Sequence, residues 1–352
     1  MAWNVSVENG IAYPPVVVGQ FVILIDRKDN KVRSPDSDVV YAFERSSGRY
    51  LWRYPSDSTT GYIDTIKGSS NYLILNIRNN SQSNQVVILD LINGQPVFAI
   101  SDTAVDVAIS NDVIVYQDLI RAIHVYELST QSLLWETAGT NARSNRGLYI
   151  QENDLYTIIK MEAFRFDLRT GAILSRISPH TQTGQNLNAI AAALIEKKVL
   201  LASGRRLTYL DVDTDLEYWS VPIVDDSKLR PEIWQPAFDD NQFYIIVDSY
   251  RLLAVSKDDG AIEWEKQPGG LEKYVAPSAF HNGMIYVMWS DGSIHQFDIV
   301  TTNETGVLIG PAPRGMINRE PYWYYPGLTA NDDLLFVTFG CETLYAFRES
   351  SQ

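Results

Sequence analysis

VVYAFERSSGRYLW occupies residues 39–52 and is one copy of a unit that repeats along the chain. A short apolar run leads into a turn marked by Ser-Ser-Gly, and a second run ends on Trp52. This pattern is typical of a β-hairpin, in which Gly48 takes up the positive φ angle that the turn requires. Variants of the hairpin recur along the whole chain. The large residue before the polar turn opener falls at Phe43, Leu89, Tyr126, Phe166, Leu210, Val255, Phe297 and Phe347.

These eight markers are separated by 37–50 residues, with a mean interval of about 43. Each unit also contains two earlier apolar runs, for example at residues 71–77 and 242–248, which have strand composition. A period of 40–50 residues with four strands per repeat indicates a propeller blade. The sequence therefore predicts an all-β fold, an eight-bladed β-propeller of four-stranded antiparallel blades. We expect residues 1–352 to form a single domain.

The turn glycine recurs at one position of the hairpin, and Gln131 and Asp215 replace it in the third and fifth copies. We expect these two turns to be strained or of another type. The glycines are Gly48, Gly94, Gly171 and Gly260.

A tryptophan follows the marker by nine residues in four copies, with Phe98 as a variant. A large flat side chain repeated at one phase of the repeat predicts packing between neighbouring blades. The tryptophans are Trp52, Trp135, Trp219 and Trp264.

The last hairpin stops at residues 351–352 and lacks both its outermost strand and its tryptophan. The chain begins with MAWNV, which supplies a tryptophan, Trp3, with no hairpin before it. We therefore predict that residues 1–8 complete the last blade and that Trp3 takes the missing inter-blade position. Closing the ring in this way removes free sheet edges.

The consensus hairpin, [VL]-[YH]-[AV]-[FL]-[DE]-x-x-[ST]-G-x-x-[LI]-W, resembles the pyrroloquinoline-quinone-like (PQQ-like) propeller repeat of the quinoprotein-dehydrogenase-like superfamily. The resemblance covers nearly the whole chain. No Gly-His lead or Trp-Asp ending recurs, as a WD repeat would require. Proteins with PQQ-like repeats include quinone-dependent dehydrogenases and non-catalytic scaffolds, one of which assists outer-membrane protein assembly. Since a fold does not determine a function, the resemblance leaves both classes open.

The resemblance favours the non-catalytic branch. Quinoprotein enzymes carry a quinone, a calcium ion, a catalytic Asp and a vicinal cysteine pair, whereas this chain has one cysteine, Cys341, and no insertion large enough to cover a cofactor. The acidic run at 211–217 does not match a calcium loop, because Leu216 and Pro222 occupy the positions of the required Gly and Glu. We expect no cofactor, no metal and no catalytic residue, and retain a quinone-dependent oxidoreductase as the last alternative.

Two of the four histidines, His124 and His295, share one repeat position on separate blades. Their equivalence predicts a structural or surface role in a strand, and their positions on separate blades argue against a shared metal ion.

The net charge of −14 argues against a nucleic-acid-binding surface and against docking to an anionic membrane. No run of 18 apolar residues predicts a membrane span. The resemblance implies an extracytoplasmic protein, periplasmic or at the cell surface. A native start at Met1 implies the cytoplasm instead, because no export signal precedes Trp3.

Aromatic, proline and arginine residues collect in segments that precede inner strands and do not follow the repeat. Such side chains dominate protein-binding hot spots, so we predict a partner-binding rim on the loop-bearing face. The predicted function is a non-catalytic protein–protein interaction scaffold, within a larger assembly; the alternative is a sensor that binds a small ligand or glycan in the central funnel. The rim residues are Tyr13, Arg230, Trp234, Tyr274, Arg319, Tyr322, Trp323, Tyr324 and Tyr325.

Overall fold

The structure, a computed structural model, is a ring of eight four-stranded antiparallel sheets. It describes residues 1–8, 11, 14–27, 38–54, 61–78, 84–139, 147–159, 162–178, 189–195, 197–203, 206–223, 236–247, 250–267, 278–289, 293–309, 327–331, 333–339 and 343–348. The described residues form strands and turns only, and no helix among them is long and apolar enough to cross a membrane. The predicted eight-bladed propeller is confirmed.

The first four blades follow one another without crossovers, each strand pairing with the next in the chain. The chain opens with β1 (Trp3–Ser6). Blade 1 then contains β2 (Val16–Val18), β3 (Phe21–Asp26), β4 (Val39–Glu44) and β5 (Tyr50–Tyr54); blade 2 contains β6 (Tyr62–Gly68), β7 (Tyr72–Arg78), β8 (Gln85–Asp90) and β9 (Pro96–Ile100); blade 3 contains β10 (Ala104–Ile109), β11 (Val113–Asp118), β12 (Ile123–Glu127) and β13 (Ser132–Glu136); blade 4 contains β14 (Tyr149–Gln151), β15 (Asp154–Ile159), β16 (Glu162–Asp167) and β17 (Ile173–Ile177).

The second half repeats the arrangement. Blade 5 contains β18 (Ala189–Ile195), β19 (Lys198–Ser203), β20 (Arg206–Asp211) and β21 (Leu216–Pro222); blade 6 contains β22 (Ala237–Phe238), β23 (Gln242–Val247), β24 (Arg251–Ser256) and β25 (Ile262–Lys266); blade 7 contains β26 (Ala279–His281), β27 (Met284–Met288), β28 (Ser293–Asp298) and β29 (Glu304–Ile309); blade 8 contains β30 (Leu328–Ala330), β31 (Leu335–Phe339) and β32 (Thr343–Phe347).

The N-terminal strand β1 is the outermost strand of blade 8, as predicted. It pairs antiparallel with β32, and Trp3 lies opposite Ala346. The Ser6 and Thr343 hydroxyls form a hydrogen bond of 3.0 Å at the far end of the pair. The ring is therefore closed by joining the two ends of the chain within one sheet.

Among the described residues the apolar core forms eight clusters, and each cluster is shared by two adjacent blades. The cluster between blades 8 and 1 contains Trp3, Val22, Phe43 and Phe336, so the closing joint is packed like the others. Buried β-branched and aromatic side chains on both faces of the inner strands explain their nearly continuous apolar runs. Each blade therefore shares buried apolar residues with both of its neighbours.

The hairpin turns have the predicted backbone. The four repeated glycines have φ angles of 70–75°, and Gln131 and Asp215 are held at 55° in the equivalent turns. Thr302 takes the same place in blade 7 with φ of 59°. A side chain in this left-handed region is strained, so the expectation of strained turns is confirmed.

Candidate functional site

The strand directions define two faces of the ring. One side of the ring, which we call the loop face, carries two kinds of connection. The first joins the outermost strand of one blade to the innermost strand of the next, and the second is the turn between the second and third strands of each blade. We call turn face the opposite side, which carries the two remaining turns of each blade. All nine predicted rim residues belong to outer-to-inner connections, but they lie outside the described residues: Tyr13, Arg230, Trp234, Tyr274, Arg319, Tyr322, Trp323, Tyr324 and Tyr325. The rim therefore stays a prediction.

One described turn on the loop face exposes two adjacent aliphatic side chains. Leu119 is 62% exposed and Ile120 is 53% exposed, at the tip between β11 and β12 of blade 3. The turn is well defined, since the Asp118 carboxylate accepts the Ala122 N–H at 2.8 Å and the Asp118 carbonyl accepts the Arg121 N–H at 3.1 Å. Exposed adjacent aliphatic residues on a braced turn form a small apolar contact point.

A second braced element lies beside the long polar loop of blade 1. Arg27 and Asp38 flank that loop and form a two-pronged ion pair, with distances of 3.0 and 2.8 Å. Asp38 also accepts the backbone N–H of Ile63 in blade 2 at 2.8 Å. Burial raises the pKa of the Asp38 carboxyl, and the hydrogen bonds from Arg27 oppose that shift. The base of the loop is thus tied to the neighbouring blade.

A cavity of about 580 Å³ occupies the central channel near the turn face. Inner strands of five successive blades line it, from blade 2 to blade 6. The lining has both apolar and polar surface, and Lys67 and Gln151 supply polar side chains. Apolar lining residues include Ile109, Tyr149, Ile150, Ile195 and Phe238.

Lys67 connects three blades at this cavity. Its ammonium lies 3.0 Å from an Asp106 carboxylate oxygen in blade 3, and it donates to the Leu148 carbonyl of blade 4 at 3.1 Å. It also lies 5.6 Å from the centre of the Tyr149 ring. Burial and the nearby Asp106 raise the pKa of Tyr149 to about 12.

Asp106 is buried, and its second oxygen accepts the N–H groups of Gly147 and Leu148 at 2.7 and 2.9 Å. Four groups contact this carboxylate: the Lys67 ammonium and the backbone N–H groups of Val107, Gly147 and Leu148. The sequence reasoning missed this cluster. The available signal is an acidic residue inside the apolar strand AVDVAI, because a buried charge requires partners.

The predicted inter-blade tryptophans can be placed in the structure. In four cases the indole stacks on the turn glycine of the next blade, and its N–H donates to the carbonyl three residues before that glycine, at 2.8–2.9 Å. The four pairs are Trp3–Gly48, Trp52–Gly94, Trp135–Gly171 and Trp219–Gly260. Trp264 differs, because Thr302 stands at the equivalent turn position and the buried Trp264 Nε1 has no partner among the described residues.

The acidic run at 211–217 lies at a hairpin turn and forms hydrogen bonds within it. The Asp211 carboxylate accepts the N–H groups of Asp213 and Thr214, at 2.9 and 3.2 Å. Asp213 reaches across to blade 4, where it pairs with Arg165 at 2.8 Å. Within the described part of the chain, no group of three or more His, Cys, Asp or Glu side chains is arranged to hold a metal ion.

Comparison with known proteins supports the repeat class. The family model PQQ_2, described as outer membrane protein assembly factor BamB, matches residues 160–306, which is less than half of the chain. The match is to PQQ-like repeats within residues 160–306, and the eight four-stranded blades show that the whole chain has the propeller fold. No curated protein matched it.

Solved structures share the fold along the entire chain at low sequence identity. BamB from Moraxella catarrhalis is 12% identical, with a TM-score of 0.68 and 98% of both chains covered. The computationally designed Ika8 protein is 14% identical, with a TM-score of 0.70 and 97% of both chains covered. The C-terminal WD40 domain of Sif2 is 9% identical, with a TM-score of 0.67 and coverage of 98% and 97%. At these identities the likeness concerns the fold alone.

Proposed function

We propose that this chain is a protein-interaction scaffold whose partner binds the loop face of the ring. The observation that carries the proposal is the exposed Leu119–Ile120 pair on a turn that is hydrogen-bonded in place. Exposed aliphatic groups on a rigid support gain free energy when a partner removes them from water, and they lose little conformational entropy on binding. The ring provides such a support because every blade is packed between two others.

The predicted aromatic rim would extend this contact point across the same face. Trp, Tyr and Arg side chains contribute most of the binding energy in many interfaces, and they are concentrated in the connections that do not follow the repeat. The matched family model is described as an assembly factor, which agrees with a role in a larger assembly. We further propose that the partner is a protein and that nucleic acid is not bound, since the net charge is −14.

The scaffold proposal is tested by capture of partners from a lysate of the native host. Leu119→Asp with Ile120→Asp forms one variant, and Trp323→Ala with Tyr324→Ala forms another. Val300→Asp is the control, because Val300 is 83% exposed on the turn face. We expect both loop-face variants to lose the same captured protein while the control retains it. Retention of that protein by both variants would refute the proposal.

The channel cavity favours a second candidate function, the binding of a small molecule that has both apolar and polar groups. Its walls combine apolar side chains with the polar groups of Lys67 and Gln151, as in many ligand sites. The fluorescence of an anionic amphiphilic dye, 1-anilinonaphthalene-8-sulfonate, can report occupancy. We expect Phe238→Asp to lower dye binding and Val300→Asp, on the same face outside the cavity, to leave it unchanged. Equal binding by both variants would argue against the channel site.

A further inference from the structure

Three side chains of blade 7 form a hydrogen-bonded series near the loop face. Ser293 begins β28, and its hydroxyl oxygen lies 2.8 Å from Nε2 of His295. The other ring nitrogen of His295, Nδ1, lies 3.0 Å from a carboxylate oxygen of Glu304 on β29. Ser293 and His295 point to one side of the sheet because they are two residues apart in a strand. A hydroxyl, an imidazole and a carboxylate are thus aligned in that order.

The imidazole is held in a single orientation. His295 is buried, with 6% of its surface exposed, and its ring stacks on Trp289 at a centroid distance of 3.5 Å. The carboxylate of Glu304 is the acceptor at Nδ1, so it favours the tautomer in which Nδ1 carries the proton and Nε2 accepts one. The buried indole N–H of Trp289 has no acceptor among the described residues, which leaves a donor beside this ring.

We propose that Ser293 is an activated nucleophile that takes acyl groups from small activated esters. The warrant is the geometry in which a nucleophile bonds to a base and a third group orients the base. The Ser293 oxygen attacks the ester carbonyl carbon while its proton moves to His295 Nε2. The bond to the alcohol or phenol breaks, and the leaving oxygen takes the proton from His295. Water then cleaves the acyl-serine by the same proton path, which releases the acid and restores Ser293.

In this proposal Ser293 and His295 are catalytic residues, and Glu304 is a positioning residue that acts through His295. The proposal goes beyond the scaffold function and would add a chemical activity to blade 7, contrary to the expectation of no catalytic residue. It uses none of the residues assigned to partner binding. The two functions can therefore fail independently.

Blade 3 provides an internal comparison at the same repeat position. His124 lies between Asp118 and Glu136, at 3.1 and 3.2 Å, and stacks on Tyr116 at 4.6 Å. Ala122 stands where blade 7 has Ser293. Blade 3 therefore has the imidazole and the acid without the nucleophile, and His124→Ala is a matched control for His295→Ala.

The test uses the full chain and a fluorophosphonate probe, which forms a stable bond to an activated serine oxygen as fluoride leaves. Intact mass and peptide mapping locate the adduct. We expect one adduct on Ser293, none in Ser293→Ala, and labelling slowed at least about 100-fold in His295→Ala. His124→Ala should label at the wild-type rate. Thermal unfolding of each variant shows whether it has folded.

Glu304 is tested by two substitutions with a readout beyond folding. Glu304→Gln removes the charge and should slow labelling, whereas Glu304→Asp retains the charge and should recover part of the rate. Hydrolysis of 4-nitrophenyl acetate should follow the same order. The proposal is overturned by a wild-type protein that is not labelled, by labelling that persists in Ser293→Ala, or by equal rates for His295→Ala and His124→Ala.

Discussion

The joint between blades 1 and 2 and the joint between blades 6 and 7 show what a repeat can and cannot enforce. In the first, Trp52 lies on Gly94 and donates to the Leu91 carbonyl at 2.9 Å. In the second, Trp264 faces a turn that has Thr302 at the glycine position, and its indole N–H has no partner among the described residues. The same tryptophan therefore makes a different joint when the next blade changes one residue.

Glycine is required at this turn position for two separate reasons. Its φ of 71° favours glycine by backbone strain, and an added Cβ at Gly94 would lie 2.5 Å from an indole carbon of Trp52. The requirement thus couples two residues that are 42 positions apart in the chain. The other joints agree, because Phe98 and Ser175 occupy the tryptophan position before blades whose turns contain Gln131 and Asp215.

The largest loss of stability is expected when the joint between blades 8 and 1 is disrupted. Deletion of residues 1–8 removes the outer strand of blade 8 and the Trp3 side chain that packs on Gly48. We expect a loss of more than about 5 kcal/mol, or on the order of 10 °C in the melting temperature. Calorimetry measures the change, and a synthetic peptide of residues 1–8 added in excess should restore part of it. An unchanged melt would show that the closing strand is dispensable.

The next effect compares two tryptophans. Trp52→Ala removes a buried indole and its hydrogen bond, so we expect it to cost about 3–5 kcal/mol in urea unfolding. Trp264→Ala should cost less by about 1 kcal/mol, because its N–H makes no hydrogen bond among the described residues. Equal losses would mean that the tight and the altered joint contribute alike.

A smaller effect separates steric from backbone strain at the glycine. Gly94→Ala and Gly283→Ala place a methyl group at nearly the same φ, 71° and 74°, but a Cβ at Gly283 meets no atom within 4 Å. We expect Gly94→Ala to cost about 1–3 kcal/mol more than Gly283→Ala, since its methyl group overlaps the indole. If the two variants unfold at the same urea concentration, the glycine serves the turn alone.

The smallest effect should come from converting the altered turn to the common one. Thr302→Gly relieves a side chain held at φ of 59°, although glycine also adds entropy to the unfolded chain. The net gain should be about 0.5–1 kcal/mol, seen as a higher urea midpoint. Thr302→Ala, which keeps a Cβ, should not stabilise the protein. Destabilisation by Thr302→Gly would indicate that the threonine has a favourable role in this joint.

Several features could be predicted from residues close together in the chain. The hairpin pattern and its period predicted the blade count, the positive φ angles of Gly48 and its equivalents, and the strand placement of His124 and His295. The unpaired tryptophan at residue 3 predicted the closure. These predictions succeeded because turn geometry and strand alternation depend on neighbouring residues.

The candidate sites were harder to predict from the sequence. The cluster of Lys67, Asp106 and Leu148 joins three blades, and no local pattern connects its members. The Leu119–Ile120 turn resembles any polar-bounded turn until its exposure is known. The Ser293–His295–Glu304 series depends on the side-chain rotamers that bring groups on the third and fourth strands of blade 7 within hydrogen-bonding distance.

The sequence by itself determined that this chain is a closed eight-bladed propeller, because each blade encodes its own hairpins and the missing last strand is supplied at the other end. Only the tertiary structure decided which residues meet across the blades. Those contacts depend on how far each blade turns relative to the next, and Trp52 on Gly94 or Lys67 on Asp106 follows from that rotation. Local hydrogen bonding sets the repeat, and packing between repeats creates the joints and the candidate sites.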